Sequence, residues 1–421
     1  MAFGGRCPKK KEVYKTMQIN EQAIESIVKE VLQNLNGGKE HSCGSHECNC
    51  KKDNGNTAKL AYLTAAKNIE IKEVPLPKVG DNEILVKVEG CGICGTDVHE
   101  WKGDPFGLIP VVLGHEGTGE VIALGKNINK DTIGNPVKIG DKIVTSVLTC
   151  GTCPMCIHHP EKPTLCDNQG VYGLMPDDDY KLNGWFASHI LIRENSTFFV
   201  VNDLSLDQRM LLELAAVTVH ALGRAQTTGI LDFDSKVLVQ GCGPVGLMMI
   251  AVLKTAGIYN IIALDGDEQR LNMAKRFGAL TTINFKDVKT LDERLNIIKG
   301  INFGMGADFA FQCTGSPAAA SDIWKYVRRG GGLAEIGFFV NNGDATINPH
   351  FDICNKEITV VGSWVYGALD YPKTMAFLKR AGENKLPIED LITHRFDLNH
   401  LNEAMETNVA LKGIKIAYVN N

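Results

Sequence analysis

Cys150, Cys153, Cys156 and Cys166 are spaced C-x2-C-x2-C-x9-C, which gathers four soft donors in one short stretch. Four thiolates close a tetrahedral zinc site and leave no position for water, so the metal implied here is structural. A second constellation differs in kind. Cys94-Gly-Thr-Asp-Val-His99 is followed by Gly114-His115-Glu116, so a thiolate, an imidazole and a carboxylate can hold a zinc while leaving one position open. An open position means chemistry. Taken singly, Cys94 and His115 would be ordinary core residues, and Thr96 and His99 ordinary surface residues.

The third constellation would carry a dinucleotide. Lys236-Val-Leu-Val-Gln240 runs directly into Gly241-Cys-Gly-Pro-Val-Gly246 and then into an apolar stretch, the G-x-G-x-x-G pattern in its strand, turn and helix setting. Gly241 permits the tight turn, Gly243 lets backbone N–H groups approach a pyrophosphate, and Gly246 allows close packing of helix on strand. Positive charge density at the helix N-terminus favours the anion. A second strand-like run, Asn260-Ile-Ile-Ala-Leu264, ends on Asp265. A carboxylate there accepts hydrogen bonds from ribose hydroxyls and repels a 2′-phosphate, which favours NAD over NADP. The alternative role for Asp265, capping the next helix, is one that Asp267 can also fill.

These residues need elements to position them. The chain has 421 residues, more than one core supports, so two folded domains and a tail are expected. Residues 58–210 read as an irregular, mostly β domain, with runs such as Glu83-Ile-Leu-Val-Lys-Val88 between Gly, Pro and Asp turns. Across residues 211–362 apolar strand-like runs alternate with helical stretches, which implies a parallel sheet covered on both faces, an α/β class. Residues 363–421 pair a helical run near Tyr371 with strand-like ends, and are expected to return to the first domain. The run Val245-Gly-Leu-Met-Met-Ile-Ala-Val-Leu253 is too short to span a bilayer and reads as a buried helix.

An apolar share of 44%, a charged share of 22% and a net charge of -5 describe an ordinary globular chain with no basic footprint for nucleic acid. The N-terminus has lysines but no apolar h-region or small-residue cleavage site, so a cytoplasmic protein with no membrane partner is expected. Thirteen cysteines in a reducing compartment then point to metal ligands and core thiols rather than disulfides.

In these motifs, together with Thr314-Gly-Ser-Pro317 and Leu391-Ile-Thr-His-Arg-Phe396, the chain resembles the zinc-containing branch of the medium-chain dehydrogenase/reductase superfamily. That branch holds alcohol, sorbitol and threonine dehydrogenases, and the likeness spans residues 59–419. It implies a GroES-like β catalytic domain, completed by the C-terminal segment, with a Rossmann NAD-binding domain inserted. It further implies that Cys94 and His115 bind catalytic zinc, with Glu116 as a third ligand and Glu213, or water, as an exchangeable fourth. Relatives commonly read Glu-Pro-Leu where this chain reads Glu213-Leu-Ala, and the gap before Cys166 is longer than theirs. Gly241, Gly243, Pro244, Val245, Gly246, Asp265 and Thr314 would hold the cofactor. Thr96 and His99 would relay the alcohol proton, and Asp97 would fix the tautomer of His115.

The resemblance thus implies a zinc-dependent alcohol dehydrogenase with one catalytic and one structural zinc, passing hydride between a small alcohol or aldehyde and NAD. A homodimer or homotetramer is expected. Trp101, Phe106 and Trp364 are expected to line an apolar substrate pocket. The alternatives are a polyol or threonine dehydrogenase of the same superfamily and, further off, a zinc-free reductase or a binding protein without turnover.

Residues 1–57 form a polar tail. Within it Asn20 can cap a helix whose apolar residues are Ile24, Ile27, Val28, Val31, Leu32 and Leu35, stopped by Gly37-Gly38. A linker follows, with His41, Cys43, His46, Cys48 and Cys50 among polar residues. Residues 20–35 resemble the encapsulation peptides that direct enzymes into bacterial microcompartments, which would make a shell protein a further partner.

Overall fold

The computed structural model describes residues 57–179 and 181–420. The helix and linker expected within residues 1–56 lie outside the described residues.

The first part carries eight strands: β1 (Thr57–Ala65), β2 (Asn68–Pro75), β3 (Ile84–Ile93), β4 (Val111–Val112), β5 (Glu116–Leu124), β6 (Lys142–Thr145), β7 (His189–Ile192) and β8 (Phe198–Val200). The parallel part adds β9 (Lys236–Gln240), β10 (Asn260–Asp265), β11 (Thr281–Asn284), β12 (Ala307–Gln312), β13 (Val327–Glu335) and β14 (Thr359–Gly362). Near the C-terminus come β15 (Ile392–Phe396) and β16 (Lys415–Val419).

β9 to β14 form a six-stranded sheet in the order β11-β10-β9-β12-β13-β14. That is the doubly wound order of a Rossmann fold, with the crossover between β9 and β12 opening a crevice at the C-terminal strand ends. Alternation along the strands splits the burial between two faces. Val237, Val239, Ile261, Ala263, Phe309 and Phe311 join one core cluster, whereas Leu238, Ile262, Leu264 and Ala310 join the cluster on the other face. β11 is short and carries little apolar signal, Thr-Thr-Ile-Asn, and the sequence reading had not picked it out. The helix Pro244–Thr255 is buried from Gly246 to Leu253, as the unbroken apolar run requires.

The other large sheet has the order β15-β16-β3-β5-β6-β8, with β7 also pairing β3, and β1, β2 and β4 form a small third sheet. β16 pairs antiparallel with β3, Ile416 opposite Ile93 and Tyr418 opposite Cys91. The chain's last strand therefore lies within the first part. The segment before it behaves differently. Tyr371, Phe377, Leu378 and Ala381 of the helix Asp370–Glu383 pack into the core cluster that holds the helix Pro244–Thr255. The last expected segment is thus divided: its helix packs with the helices of the parallel sheet, and β15 and β16 join the sheet of β3 and β5. Among the described residues, no helix is long and apolar enough to cross a membrane.

Candidate active site and metal centres

The four-cysteine lobe is a loop pinned at its base by a bridge between Leu148 and Gly170. Its four Sγ atoms all lie within 4.8 Å of one another. Cys150 is 4.0 Å from Cys156, Cys153 is 4.0 Å from Cys166, and Cys166 is 3.6 Å from Cys150. A tetrahedron with Zn–S of about 2.3 Å needs S···S separations of about 3.8 Å, so these residues fit zinc. Backbone N–H groups are aimed at the sulfurs: Cys153 donates to Cys150 at 3.3 Å, and Asp167 to Cys153 at 3.4 Å. Hydrogen bonds from Thr152, from the Cys153 amide and from Asn168 lower the Cys150 thiol to about 5, which favours the thiolate a metal needs.

The second centre is built by the turn into the helix Gly95–Gly103. Cys94 is its N-cap, and Asp97 at the third helical position accepts from the Cys94 amide at 2.9 Å. The other Asp97 oxygen accepts from Gly114 N at 3.2 Å and lies 3.2 Å from His115 Nδ1. One buried carboxylate thereby ties the helix start to the segment entering β5, and leaves His115 Nε2 for another partner. Ligand atoms of Cys94, His115 and Glu116 all lie within 4.8 Å of one another. This is an N, S and O donor set suited to zinc. Burial disfavours the His115 imidazolium, but Asp97 and Cys94 outweigh it and raise its pKa well above the ordinary value.

Lys415, from β16, was not foreseen. Its ammonium is buried against the Glu116 carboxylate. Glycine at position 92 makes the contact possible, since a Cβ there would fall 2.0 Å from Glu116 Oε2 and 2.9 Å from Lys415 Cε. Glu213, in the helix Leu212–Gln226, is outside the three-residue cluster but lines the same cavity. Burial raises its carboxyl to about 7, against the pull of His115. Thr96 Oγ1 lies 3.5 Å from Cys94 Sγ and lines the cavity as well. His99 does not line it, and meets the ring of Phe339 edge-on at 5.8 Å. Burial and then Lys102 lower the His99 pKa.

The cavity, about 570 Å³, continues to the C-terminal ends of the parallel strands, where Gly241, Gly243, Pro244, Val245, Asp265 and Thr314 line it. Gly241 has φ +91°, and a Cβ on Gly246 would meet Gly241 O at 1.7 Å. The Asp265 carboxylate is held by the amides of Cys242 at 2.6 Å, Gly266 at 2.7 Å and Asp267 at 2.9 Å. The helix Glu268–Phe277 is capped by Asp267. Arg270, in the first turn of that helix, lines the cavity too and was missed by the sequence reading. Its distance of five residues from Asp265 is the signal that would have found it.

Of the three aromatic residues expected in the pocket, Phe106 and Trp364 line it. Trp101 does not. It is buried in the β core, its indole N–H donating to Asn402 at 3.1 Å, because the outer side of its short helix packs on the helix Leu401–Val409.

Residues 80–202 match the family described as alcohol dehydrogenase GroES-like domain, and residues 244–380 match zinc-binding dehydrogenase. Over 363 residues the chain is 32% identical to a sorbitol dehydrogenase of Bacillus subtilis (strain 168), covering 84% of this chain and 94% of that protein. An L-threonine 3-dehydrogenase of Symbiobacterium thermophilum is 29% identical over 82% of this chain and 93% of its own. Among solved structures, an alcohol dehydrogenase of Thermotoga maritima superposes with a TM-score of 0.81 at 29% identity, covering 87% of this chain and all of that one (100%). A 2R,3R-butanediol dehydrogenase from Bacillus subtilis gives 0.72 at 28%, covering 86% of this chain and 100% of its own.

Proposed function

The chain belongs to the zinc-binding dehydrogenase family and is a zinc- and nicotinamide-dependent oxidoreductase acting on CH–OH groups; from that premise we propose that it interconverts a short alcohol and its carbonyl compound with NAD. One observation carries the proposal. Cys94, His115 and Glu116 line the same cavity as Gly241, Gly243, Asp265 and Thr314, so the residues that would hold a metal and those that would hold a nicotinamide cofactor face one space.

Cys94, His115 and Glu116 would hold a zinc ion, which would supply Lewis-acid polarisation of the substrate oxygen, and the strand-end residues would hold NAD, which would supply the hydride acceptor. The chain's own residues do the rest. Asp97 holds the proton on His115 Nδ1 and keeps Nε2 free as a ligand. Thr96 Oγ takes the alcohol proton, and His99, three residues on along the same helix face, passes it towards solvent. Ile93, Val147, Leu214 and Trp364 wall the cavity and exclude water. Asp265 receives the ribose hydroxyls and disfavours a 2′-phosphate, so NAD is the preferred cofactor. Cys150, Cys153, Cys156 and Cys166 would hold the structural zinc, and Glu213, which lines the same cavity, or water would complete the catalytic set.

A panel of C2 to C4 alcohols and aldehydes, polyols and threonine, each with NAD and NADP, tests this. Turnover of short alcohols with NAD is expected, and turnover confined to polyols or threonine would replace the reading with the one the sorbitol and threonine relatives favour. Residues 20–35 suggest a microcompartment address, with the enzyme reducing a short aldehyde to regenerate NAD inside the shell. Residues 1–57 fused to a fluorescent protein in a shell-producing host should enrich in purified compartments. Diffuse fluorescence would remove that part of the proposal.

A further inference from the structure

Phe339 lies in the segment that leaves β13 of the parallel sheet, yet its ring reaches the helix Gly95–Gly103 that begins at Cys94. The ring meets the His99 imidazole edge-on, with centroids 5.8 Å apart and an interplanar angle of 79°. A Cβ on Gly95 would fall 3.0 Å from Phe339 Cζ, so the glycine there leaves the space that the ring fills. Phe339 lines the catalytic cavity and His99 does not. One ring thus borders the reaction space and touches the imidazole that would carry a proton away from it.

The backbone that carries this ring is held by groups at the strand ends. Glu335 Oε1 accepts from the amides of Gly337 at 2.9 Å and Phe338 at 3.3 Å. A Cβ on Gly337 would fall 2.3 Å from Gln312 Oε1 and 2.4 Å from the carbonyl oxygen of Thr314, so the turn is pressed onto the end of β12. The Gln312 side chain is itself fixed, accepting from Thr314 N at 2.7 Å and donating to Thr314 O at 2.6 Å. Thr314 also lines the cavity, among the residues that would hold the cofactor. The frame of the nucleotide site therefore also holds Phe339, and through it His99. The ring takes the place of water beside the imidazole. Burial is the larger cause of the lowered His99 pKa, and Lys102 on the same helix is the second. An imidazole kept neutral in this way is ready to accept a proton.

We propose that Phe339 is a positioning residue for the proton relay: its ring fixes the His99 imidazole beside the cavity and keeps water from it. Proton transfer then depends on a side chain supplied by the parallel part of the fold. This rests on the reading of Thr96 and His99 as the relay. The full-length, zinc-loaded enzyme is compared with Phe339→Ala, which removes the ring, and Phe339→Leu, which keeps an apolar wall, each also in a His99→Gln background. With saturating NAD, kcat/KM for 1-butanol at neutral pH should fall about 10-fold in Phe339→Ala and by less in Phe339→Leu. Where His99 is already Gln, the same changes should cost less than about twofold. The His99 signal in NMR spectra of isotope-labelled histidine, identified by its loss in His99→Gln, should titrate at a higher pH in Phe339→Ala, because water returns to the ring. The Glu335 carboxyl, raised to about 7 by burial, titrates alike in both backgrounds and cancels from the comparison. An equal loss with and without His99, or an unmoved His99 titration, overturns the assignment. If His99→Gln alone keeps full activity with an unchanged pH profile, the relay reading beneath it fails instead.

Discussion

Asp97→Asn is the most direct probe of how the catalytic centre is assembled. The native carboxylate is fully buried; its two oxygens accept from Cys94 N at 2.9 Å and Gly114 N at 3.2 Å, and one of them lies 3.2 Å from His115 Nδ1. An asparagine has one acceptor oxygen, so its NH2 must face at least one of those groups. Turned one way, it faces the Cys94 amide, and the helix loses its cap and leaves a buried donor unpaired, costing about 1–3 kcal/mol. Turned the other way, it faces His115 Nδ1 and favours the tautomer with its proton on Nε2, the nitrogen a metal needs. Either outcome should weaken zinc binding at this centre about 10- to 100-fold, or about 1.4–2.7 kcal/mol. Competition with a chromogenic chelator on the full chain reads this directly, with the four-cysteine lobe as internal reference. A catalytic-site affinity within threefold of the unmodified protein, with unchanged thermal stability, would refute the reasoning.

Two zinc ions per chain are expected by atomic absorption; Cys94→Ser should abolish activity in a folded chain, whereas Cys153→Ser should lower the unfolding midpoint first. Active enzyme free of zinc would contradict both. Asp265→Gly should raise kcat/KM with NADP relative to NAD, and equal use of the two by the unmodified enzyme would contradict the role given to that carboxylate. Glu100, fully buried beside Asp104, has its carboxyl raised from 4.5 to about 7 by burial and by its contact with Asp104. The folded chain therefore keeps a proton that the unfolded chain has lost between those values, so stability falls as pH rises from about 4.5 to 7, by up to about 3 kcal/mol. Gln at position 100 should flatten that part of the pH profile in urea titrations, and an unchanged slope would exclude Glu100 as its source.

What could be read in the sequence is what is local along the chain. The four-cysteine lobe spans residues 150–166, and a metal cage formed by one loop is written in its spacing. The glycine turn is likewise contiguous with its strand and helix, and Cys94 with Asp97 forms a single helix start, so neighbouring backbone geometry alone positions them. The parallel sheet was legible because five of its six strands are short apolar runs between helical ones. β11, at the edge of the sheet, lacks such a run and left no comparable signal. Tertiary structure decided the rest. Lys415 meets Glu116 across 299 residues only because β3 lies between β5 and β16. Trp101 is equally apolar in a pocket wall or a core, and only the packing of the helix Leu401–Val409 beside it sends it inward. The amphipathic helix Asp370–Glu383 shows one apolar face, but a periodicity of 3.6 does not say which core will bury it.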